Sequence, residues 1–286
     1  MLLYGIPEFR LPNAIVDQEV DTLRRLGVKF VMNTLVGRSI TLAELQQENE
    51  AVFMGTGAGL PKMMGVPGEN FKGVYTANEF LTRINLMRAD LFPTHTTPVT
   101  IGRSVIIVGC GNTAMDAARA ARRMGAEQVH IVYRRTIKES TARKEELEHA
   151  EEEGIQFHWL TTPVQLLGND KGWLESAQCA VMELTEPGPD GRRGVRMTDE
   201  RITIPCDTLV VALGFDVNPL LARTEQGLRT LKGGVVVVDE ATGETSVPGV
   251  YAGGDVITGG ATVILAMGQG RRAAAAMHAR LVGAEV

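Results

Sequence analysis

Helix-like and strand-like patterns of apolar residues alternate along the chain. Ile15, Val16 and Val20 recur at helical spacing, which predicts a helix over 14–27 that ends at Gly27. Further helices are predicted at 41–47, 76–92, 141–153 and 261–282. Strands are predicted at 28–37, 51–59, 155–168, 177–184, 201–205, 208–215 and 247–254, with a hairpin loop at 186–194. Helices interleaved with strands are typical of the α/β class.

The clearest segment is a strand–turn–helix–turn–strand unit. It places strands at 104–108 and 128–133 on either side of a helix at 113–124. The first strand is an uninterrupted apolar run, which is typical of a parallel strand covered on both faces. We therefore predict a βαβ unit here.

The turn of this unit has the pattern G-x-G-x-x-A, with Gly109, Gly111 and Ala114 at its fixed positions. The first glycine permits the tight turn, the second lets the backbone approach a pyrophosphate, and the small third residue lets helix and strand pack closely. A phosphate then lies on the helix N-terminus. Because the pattern follows a strand and opens a helix, it predicts a dinucleotide site.

The end of the second strand indicates which dinucleotide binds. An NAD site carries an acidic residue there for the ribose 2′-hydroxyl. Here the strand ends in Arg134 and Arg135, which favour a 2′-phosphate and hence NADP. The alternative is that both arginines are surface charges.

Several other polar residues have a structural and a functional interpretation. Asp255 follows a predicted strand and either holds a flavin ribityl chain or caps a turn. The glutamates between Glu145 and Glu153 are interpreted as a solvated face. His130 and His158 are interpreted as packed residues rather than ligands. Cys110 and Cys206 are not expected to be nucleophiles, and Cys206 is expected to be buried.

Composition narrows the function classes. Of 286 residues, 29 are Lys or Arg and 34 are Asp or Glu, so the net charge of −5 disfavours a nucleic-acid partner. The three cysteines show no CxxC spacing, which disfavours a zinc or iron–sulfur site and a disulfide framework. There is no signal peptide and no run long enough for a membrane span, so we expect a cytoplasmic protein with no membrane partner.

The chain resembles the glutamate synthase small (beta) subunit family, which includes the flavin subunit of NADH-dependent ferredoxin:NADP oxidoreductases. The shared segments are YGIPEFRLP (4–12), FMGTGAGLPK (53–62), VGCGNTAMDAAR (108–119), VYRRT (132–136), ALGFDVNP (212–219) and GVYAGGDVITGGATVILAMGQGRRAA (249–274). The resemblance implies an α/β protein with two nested Rossmann-like domains. Residues 1–98 and 219–286 would form the FAD domain, and residues 99–218 an inserted NADP-binding domain.

The resemblance also implies roles for individual residues. The NADPH pyrophosphate turn would comprise Gly109, Gly111, Asn112, Thr113 and Ala114, and the 2′-phosphate clamp Arg134 and Arg135. Gly214 would lie near the nicotinamide. FAD would contact Gly254 and Asp255 through its ribityl and phosphate groups and Thr262 and Val263 at its ring, with Val36 on the adenine side and Thr56 and Gly57 at the FAD turn. No catalytic residue and no metal ligand is predicted.

Family members carry, before YGIPEFRLP, a further strand–GxGxxG–helix–strand–acid unit for the ADP half of FAD, and many also carry an N-terminal cysteine-rich segment for iron–sulfur clusters, whereas this sequence begins at Met1. We therefore expect it to correspond to a C-terminal portion, with an incomplete FAD domain. We also expect it to purify with little or no FAD and to form a homodimer that covers exposed strand edges.

The function implied by the resemblance is NADPH-dependent flavoprotein oxidoreductase activity, in which hydride passes between NADPH and FAD. Electrons would then pass to a glutamate synthase large-subunit-like or other electron-transfer partner. The alternative is an NADP-binding module without turnover of its own. A short-chain dehydrogenase is disfavoured because no Tyr is followed by Lys four positions later, and a thioredoxin reductase because CxxC is absent.

Overall fold

A computed structural model describes residues 1–188 and 193–283. The chain divides into two compact units. The first unit comprises Met1–Gly27 and Pro61–Gly214, and the second comprises Val28–Leu60 and Phe215–Val286.

The elements alternate between helix and strand, as expected of an α/β protein. The helices are α1 Asn13–Arg25, α2 Leu42–Glu48, α3 Ala77–Asn85, α4 Asn112–Arg123, α5 Lys144–Glu152, α6 Leu220–Thr224, α7 Asp255–Thr258 and α8 Val263–Val282, with 3₁₀ turns at Ala89–Leu91 and Ile137–Glu139. The strands are β1 Val52–Met54, β2 Ala58–Pro61, β3 Val74–Thr76, β4 Ser104–Val108, β5 Gln128–Tyr133, β6 Gln156–Trp159, β7 Thr161–Gly168, β8 Leu174–Pro187, β9 Arg193–Pro205, β10 Thr208–Val211, β11 Phe215–Val217 and β12 Val250–Ala252.

A five-stranded parallel sheet forms the centre of the first unit. Its strand order is β3-β10-β4-β5-β6. In β4, Val105, Ile106 and Ile107 are all fully buried, which is why this strand reads as one continuous apolar run. Each strand pair is parallel, so all five carboxyl ends lie at one edge of the sheet.

The two faces of this sheet are covered differently. Helices α3, α4 and α5 pack on the face that carries Val105 and Ile107. The antiparallel sheet β7-β8-β9 packs on the face that carries Ile106 and Val108, through residues such as Leu174. The sheet is therefore enclosed between helices and a second sheet, which explains why its strands carry apolar residues on both faces.

The second unit is built around two short strand pairs. The parallel pair β1–β12 and the pair β2–β11 surround a core that includes Met54, Val217, Val250 and Ala252. Helix α2 begins with a capping box, in which Glu44 N donates to Thr41 Oγ1 at 3.1 Å.

Most predicted elements are present, and the predicted α/β class is confirmed. The 104–133 βαβ unit has the expected bounds to within one residue. The strand predicted at 28–37 is wrong, because no strand forms there in the described chain. Val31 and Met32 are 76% and 74% exposed, so their apolar pattern packs against no sheet.

Several other predicted bounds differ from the structure; for example, the strand predicted at 51–59 is divided between β1 and β2, and the strand predicted at 155–168 is divided into β6 and β7. The helix predicted at 76–92 ends at Asn85, and Arg88 adopts a left-handed backbone with φ of 53°, which no α-helix accommodates. The strand predicted at 208–215 ends at Val211, before Gly214 with φ of 90°. Of the predicted hairpin loop at 186–194, residues 189–192 lie outside the described chain, whereas 186–187 and 193–194 belong to β8 and β9.

The predicted portion 1–98 is divided between the two units, since 1–27 and 61–98 lie in the first and 28–60 in the second. Its assignment to a cofactor domain stays a prediction, as does the homodimer. Within residues 1–188 and 193–283, we find no helix whose length and hydropathy would let it cross a bilayer.

A substitution of Phe80 tests the part of the first unit's core that lies between the parallel sheet and its helices. The Phe80 side chain is fully buried, so Phe80→Ala should lower the free energy of unfolding by about 3–5 kcal/mol through lost burial and a cavity. Urea titration followed by tryptophan fluorescence measures this, because Trp159 and Trp173 both lie in the first unit. The control Phe92→Ala, at a 56% exposed position, should change stability by no more than about 0.5 kcal/mol. Equal effects of the two variants would contradict the assigned core.

Candidate functional site

The glycine turn lies where the order of the strands reverses. Strands β5 and β6, which follow β4 in the sequence, lie on one side of β4 in the sheet, whereas the later strand β10 lies on its other side. Gly109 follows β4 and Gly214 lies three residues beyond the end of β10, so both are found near the carboxyl edge of neighbouring strands. In open α/β sheets, ligands bind in the crevice at such a switch point.

The backbone at Gly109 can be formed only by glycine. Its φ is +126°, a conformation that side chains exclude. A Cβ atom there would stand 2.4 Å from the carbonyl oxygen of Ala212, which follows β10. The amide of Gly109 donates to Val132 O on β5 at 3.0 Å. The turn is thus held between the two neighbouring strands of β4.

Gly111 has a different role from Gly109. It is the N-cap of α4 with φ of −107°, which any residue adopts, and a Cβ would meet only Thr141 Oγ1 at 3.2 Å. The side chain of Ala114 is fully buried where α4 packs on the sheet. The amides at the start of α4, including those of Asn112 and Thr113, have no carbonyl four residues earlier within the helix. This helix N-terminus is therefore suited to an anion.

A loop that sequence reasoning missed lies against the turn. Ser140 Oγ donates to Cys110 O at 2.8 Å, and the amides of Thr141 and Ala142 donate to the same oxygen at 3.3 Å. Arg143 N donates to Asn112 Oδ1 at 3.0 Å. The only local signal is the run of small polar residues before a charged helix, which does not say what the loop contacts.

Arg134 and Arg135 follow β5 at the carboxyl edge of the sheet. Arg134 is exposed and Arg135 is half-buried. The Arg135 carbonyl accepts from Leu160 N at 3.0 Å, which fixes its backbone next to β6. Its Nε is buried and has no hydrogen-bond partner among the described residues. A buried donor of this kind is costly unless an acceptor reaches it.

Four of the flavin residues predicted in the second unit follow the carboxyl ends of β1 and β12, namely Thr56, Gly57, Gly254 and Asp255. Gly253 N donates to Met54 O at 3.2 Å, which brings Thr56 and Gly57 to the same edge as Gly254. Thr56 is exposed, and Gly57 has φ of 69°. Val36 lies apart from these strands and forms an isolated bridge with Ile40.

Asp255 is the first residue of α7, and its Oδ1 accepts from Ala261 N at 2.9 Å. Asp255 therefore caps a turn. This cap does not prevent a flavin contact, because the carboxylate has a second oxygen. Thr262 caps α8 by accepting from Leu265 N at 3.3 Å, and Val263 is 45% exposed.

The interpretation of the α5 glutamates as a solvated face is wrong for two of them. Glu146 Oε1 lies 2.9 Å from Arg10 Nε, and Glu153 Oε1 lies 2.9 Å from Arg119 Nε. Both side chains fall on the helix side that also buries Leu147 and Ala150. The spacing of the two glutamates along the sequence shows which face of the helix they share. It does not show that arginine side chains pack on that face.

His130, His158 and the three cysteines are packed residues. His130 Nδ1 and His158 Nε2 are 3.0 Å apart, and burial lowers the pKa of both rings. All three cysteine thiols are buried and free. Burial raises the pKa of Cys110, and raises that of Cys179 and Cys206 to about 12. Within the described ranges, no three His, Cys, Asp or Glu side chains are grouped as a metal site.

Comparison with known proteins agrees with this geometry. The profile of the pyridine nucleotide-disulphide oxidoreductase family matches residues 38–270. The NADP(+)-dependent formate dehydrogenase subunit beta of Moorella thermoacetica is 41% identical over 96% of this chain and 38% of its own length. The glutamate synthase [NADPH] small chain of Azospirillum brasilense is 32% identical over 98% of this chain and 58% of its own. The chain thus spans less than two thirds of either relative.

Among solved structures, Mycobacterium tuberculosis FprA in complex with NADPH superposes with a TM-score of 0.79 at 20% identity, over 99% of this chain and 75% of that one. This likeness confirms the fold. The relatives confirm the resemblance to the glutamate synthase small-subunit family.

The two glycines of the turn should respond differently to alanine. Gly109→Ala should lower stability by at least about 1–3 kcal/mol, because it forces both an excluded backbone conformation and a clash with Ala212. Gly111→Ala should have a much smaller effect, because only the Thr141 hydroxyl must move. Thermal unfolding of the two variants measures the difference. A Gly109→Ala variant as stable as Gly111→Ala would show that the turn has another conformation.

Proposed function

The chain belongs to the pyridine nucleotide-disulphide oxidoreductase family, and on that premise we propose that it binds NADPH as part of a flavoprotein oxidoreductase of the glutamate synthase small-subunit type. One observation carries the proposal. A glycine turn that opens α4 lies at the switch point of a parallel sheet, and two arginines follow the next strand, β5. This is the arrangement that binds a dinucleotide carrying a 2′-phosphate.

The pyrophosphate of NADPH would lie on the first turn of α4. The amides of Asn112 and Thr113 would donate to it, and the partial positive charge of the helix N-terminus would favour it. The missing side chain at Gly111 leaves the backbone open to the phosphates. Ala212, Leu213 and Gly214, after β10, would lie on the nicotinamide side.

The 2′-phosphate would lie at the end of β5. Arg134 is exposed and can turn toward it. The buried Nε of Arg135, which lacks a partner in the described chain, would gain an acceptor. Charge-assisted contacts of this kind are stronger than neutral hydrogen bonds, so they support a preference for NADPH over NADH.

FAD is the second cofactor implied by the family, and residues of the second unit would form part of its site. Gly254, Asp255, Thr262 and Val263 would hold the ribityl chain and ring side. The glycines that follow β1, Gly55 and Gly57, however, lead into the strand β2, so they do not open a helix that could bind the FAD pyrophosphate. When bound, NADPH and FAD supply the hydride chemistry, and the protein supplies binding and orientation.

This partial flavin site favours a second candidate function. The chain would then be an NADP-binding module without turnover of its own. In both cases, an electron-transfer partner would complete the reaction, which accords with relatives named as subunits. The glutamate synthase large subunit, or a protein like it, is the partner that the family suggests.

The arginine pair should determine cofactor preference. We expect the chain to bind NADPH at least about tenfold more tightly than NADH, because a charge-assisted contact contributes about 1.5–3 kcal/mol. Replacing both Arg134 and Arg135 by Gln should remove that preference while leaving NADH binding unchanged. Fluorescence titration measures both constants. The control Arg103→Gln breaks the exposed Arg103–Glu127 ion pair and should alter neither constant. Equal affinity of the wild type for NADPH and NADH would refute the assignment.

Flavin content distinguishes the two candidate functions. We expect the purified chain to show little or no flavin absorbance and no NADPH:acceptor reductase activity, because a diphosphate without donors is better left in water. Absorbance spectra, before and after incubation with excess FAD, measure this. NADPH affinity without flavin would favour the binding module. Stoichiometric FAD in the purified chain would instead support the complete oxidoreductase.

A further inference from the structure

Arg10 joins the two helices that flank the glycine turn. Its Nη1 lies 2.7 Å from both carboxylate oxygens of Asp116 on α4, and its Nε lies 2.9 Å from Glu146 Oε1 on α5. All three side chains are largely buried, at 19%, 5% and 12% exposure for Arg10, Asp116 and Glu146. Arg10 precedes Asp116 by 106 residues, so this contact is set by the fold and not by local sequence.

The contacts of Arg10 lie close to the start of each helix. Asp116 is about one turn into α4, which begins at Asn112. Glu146 is in the first turn of α5, whose N-cap is Arg143. Arg143 N in turn donates to Asn112 Oδ1. The starts of the two helices are therefore linked twice, once through Arg10 and once through the loop that lies on the turn.

Without Arg10, two carboxylates would face each other at a poorly solvated place. Asp116 would keep Arg119 as a nearby cation, and Glu146 would keep its 3.1 Å contact with Arg119 Nη1. One guanidinium would then serve both of these carboxylates as well as Glu153. Uncompensated like charges at low exposure repel strongly. The start of α5 would move away from α4, and the 140–143 loop would move with it.

The segment that carries Arg10 is itself held in place. The Phe9 ring packs against the guanidinium groups of Arg119 and Arg123, with Cζ atoms 4.7 and 4.0 Å from its centroid. The Arg10 amide donates to Pro7 O at 2.9 Å. Arg10 thus approaches the two carboxylates from a fixed backbone.

We propose that Arg10 is a positioning residue for dinucleotide binding: by joining Asp116 to Glu146, it holds the 140–143 loop against the glycine turn and so keeps the N-terminus of α4 open to a pyrophosphate. The inference rests on the proposed NADPH site. It makes the N-terminal segment part of that site, although none of its residues lies in the turn.

The first experiment measures the loop without cofactor. In Arg10→Gln, amide hydrogen exchange of Thr141, Ala142 and Arg143 should be faster by about twofold to thirtyfold than in the wild type. The Leu166 amide, which donates to Pro67 O in another part of the same unit, serves as the internal reference and should not change. Unchanged exchange in the loop would overturn the proposal.

The second experiment measures binding of NADP⁺. The dissociation constant of Arg10→Gln should rise by about twofold to thirtyfold. Arg10→Lys, which keeps the charge but not the bidentate contact, should fall between it and the wild type. The double variant Arg10→Gln/Asp116→Asn should recover part of the loss, because it removes the charge that Arg10 neutralises. Arg103→Gln serves as the matched exposed-pair control and should bind as the wild type does.

The third measurement is the pH dependence of that loss. Burial raises the pKa of Asp116 to about 6, against the opposing effect of Arg10; the groups that face it are Arg10, Arg119 and Glu146. Loss of Arg10 raises this pKa further, so Asp116 in the variant is protonated at higher pH and the repulsion from Glu146 falls. The ratio of variant to wild-type dissociation constants should therefore shrink from about pH 8 to about pH 6. Titration of the 2′-phosphate itself affects both dissociation constants equally, so it cancels in this ratio.

The outcomes distinguish failure of the proposed NADPH site from failure of the positioning role of Arg10. If the wild type does not bind NADP⁺, the proposed function fails and this inference falls with it. If the wild type binds and Arg10→Gln binds equally, or its loss is independent of pH, only the positioning role of Arg10 is refuted. If both Arg10→Gln and the double variant fail to fold, Arg10 is needed for folding, and the positioning role is likewise refuted.

Discussion

Parallel pairing of β4 with both β5 and β10 is the constraint on which the candidate site depends. It brings the segments that follow three strands to one edge of the sheet, although they are far apart along the chain. Gly109 shows how tight this arrangement is, because the Ala212 carbonyl occupies the space that a side chain would need. The shape of the turn is thus determined by backbone atoms of the neighbouring chain segments, and this turn positions the N-terminus of α4.

A cluster of charged side chains beside this edge connects several elements of the first unit. Its ion pairs connect the N-terminal segment, α4 and α5. They are formed by Arg10, Arg119 and Arg123 with Asp116, Glu146 and Glu153. Buried ion pairs contribute little net stability, because desolvation offsets the attraction. Their effect is on geometry, since a cation placed between two carboxylates fixes the distance between the elements that carry them.

The parts of the fold that could be predicted are those encoded in neighbouring residues. The βαβ unit follows from apolar periodicity, and the turn follows from its glycines, because both are local properties. The strand expected at 28–37 failed, because an apolar pattern forms a strand only when a partner is available. Likewise, the contact between Arg10 and Asp116, and the position of Ser140 on the turn, depend on chain segments that periodicity cannot bring together. Apart from Asp255, for which the sequence pattern left two interpretations open, the site residues of the second unit were predicted from resemblance alone; Thr56, Gly57, Gly254 and Asp255 lie at one strand edge.

The β7–β9 sheet takes the place that a crossover helix has in many parallel sheets. It leads the chain from β6, at one edge, back to β10 on the other side of β4, and it covers a face of the sheet on the way. Because β10 is aligned by its own pairing with β3 and β4, the length of the β8–β9 hairpin does not affect the alignment of the site. A hairpin lengthened at its outer end should therefore leave the carboxyl edge of the parallel sheet, and with it the candidate site, in the same geometry.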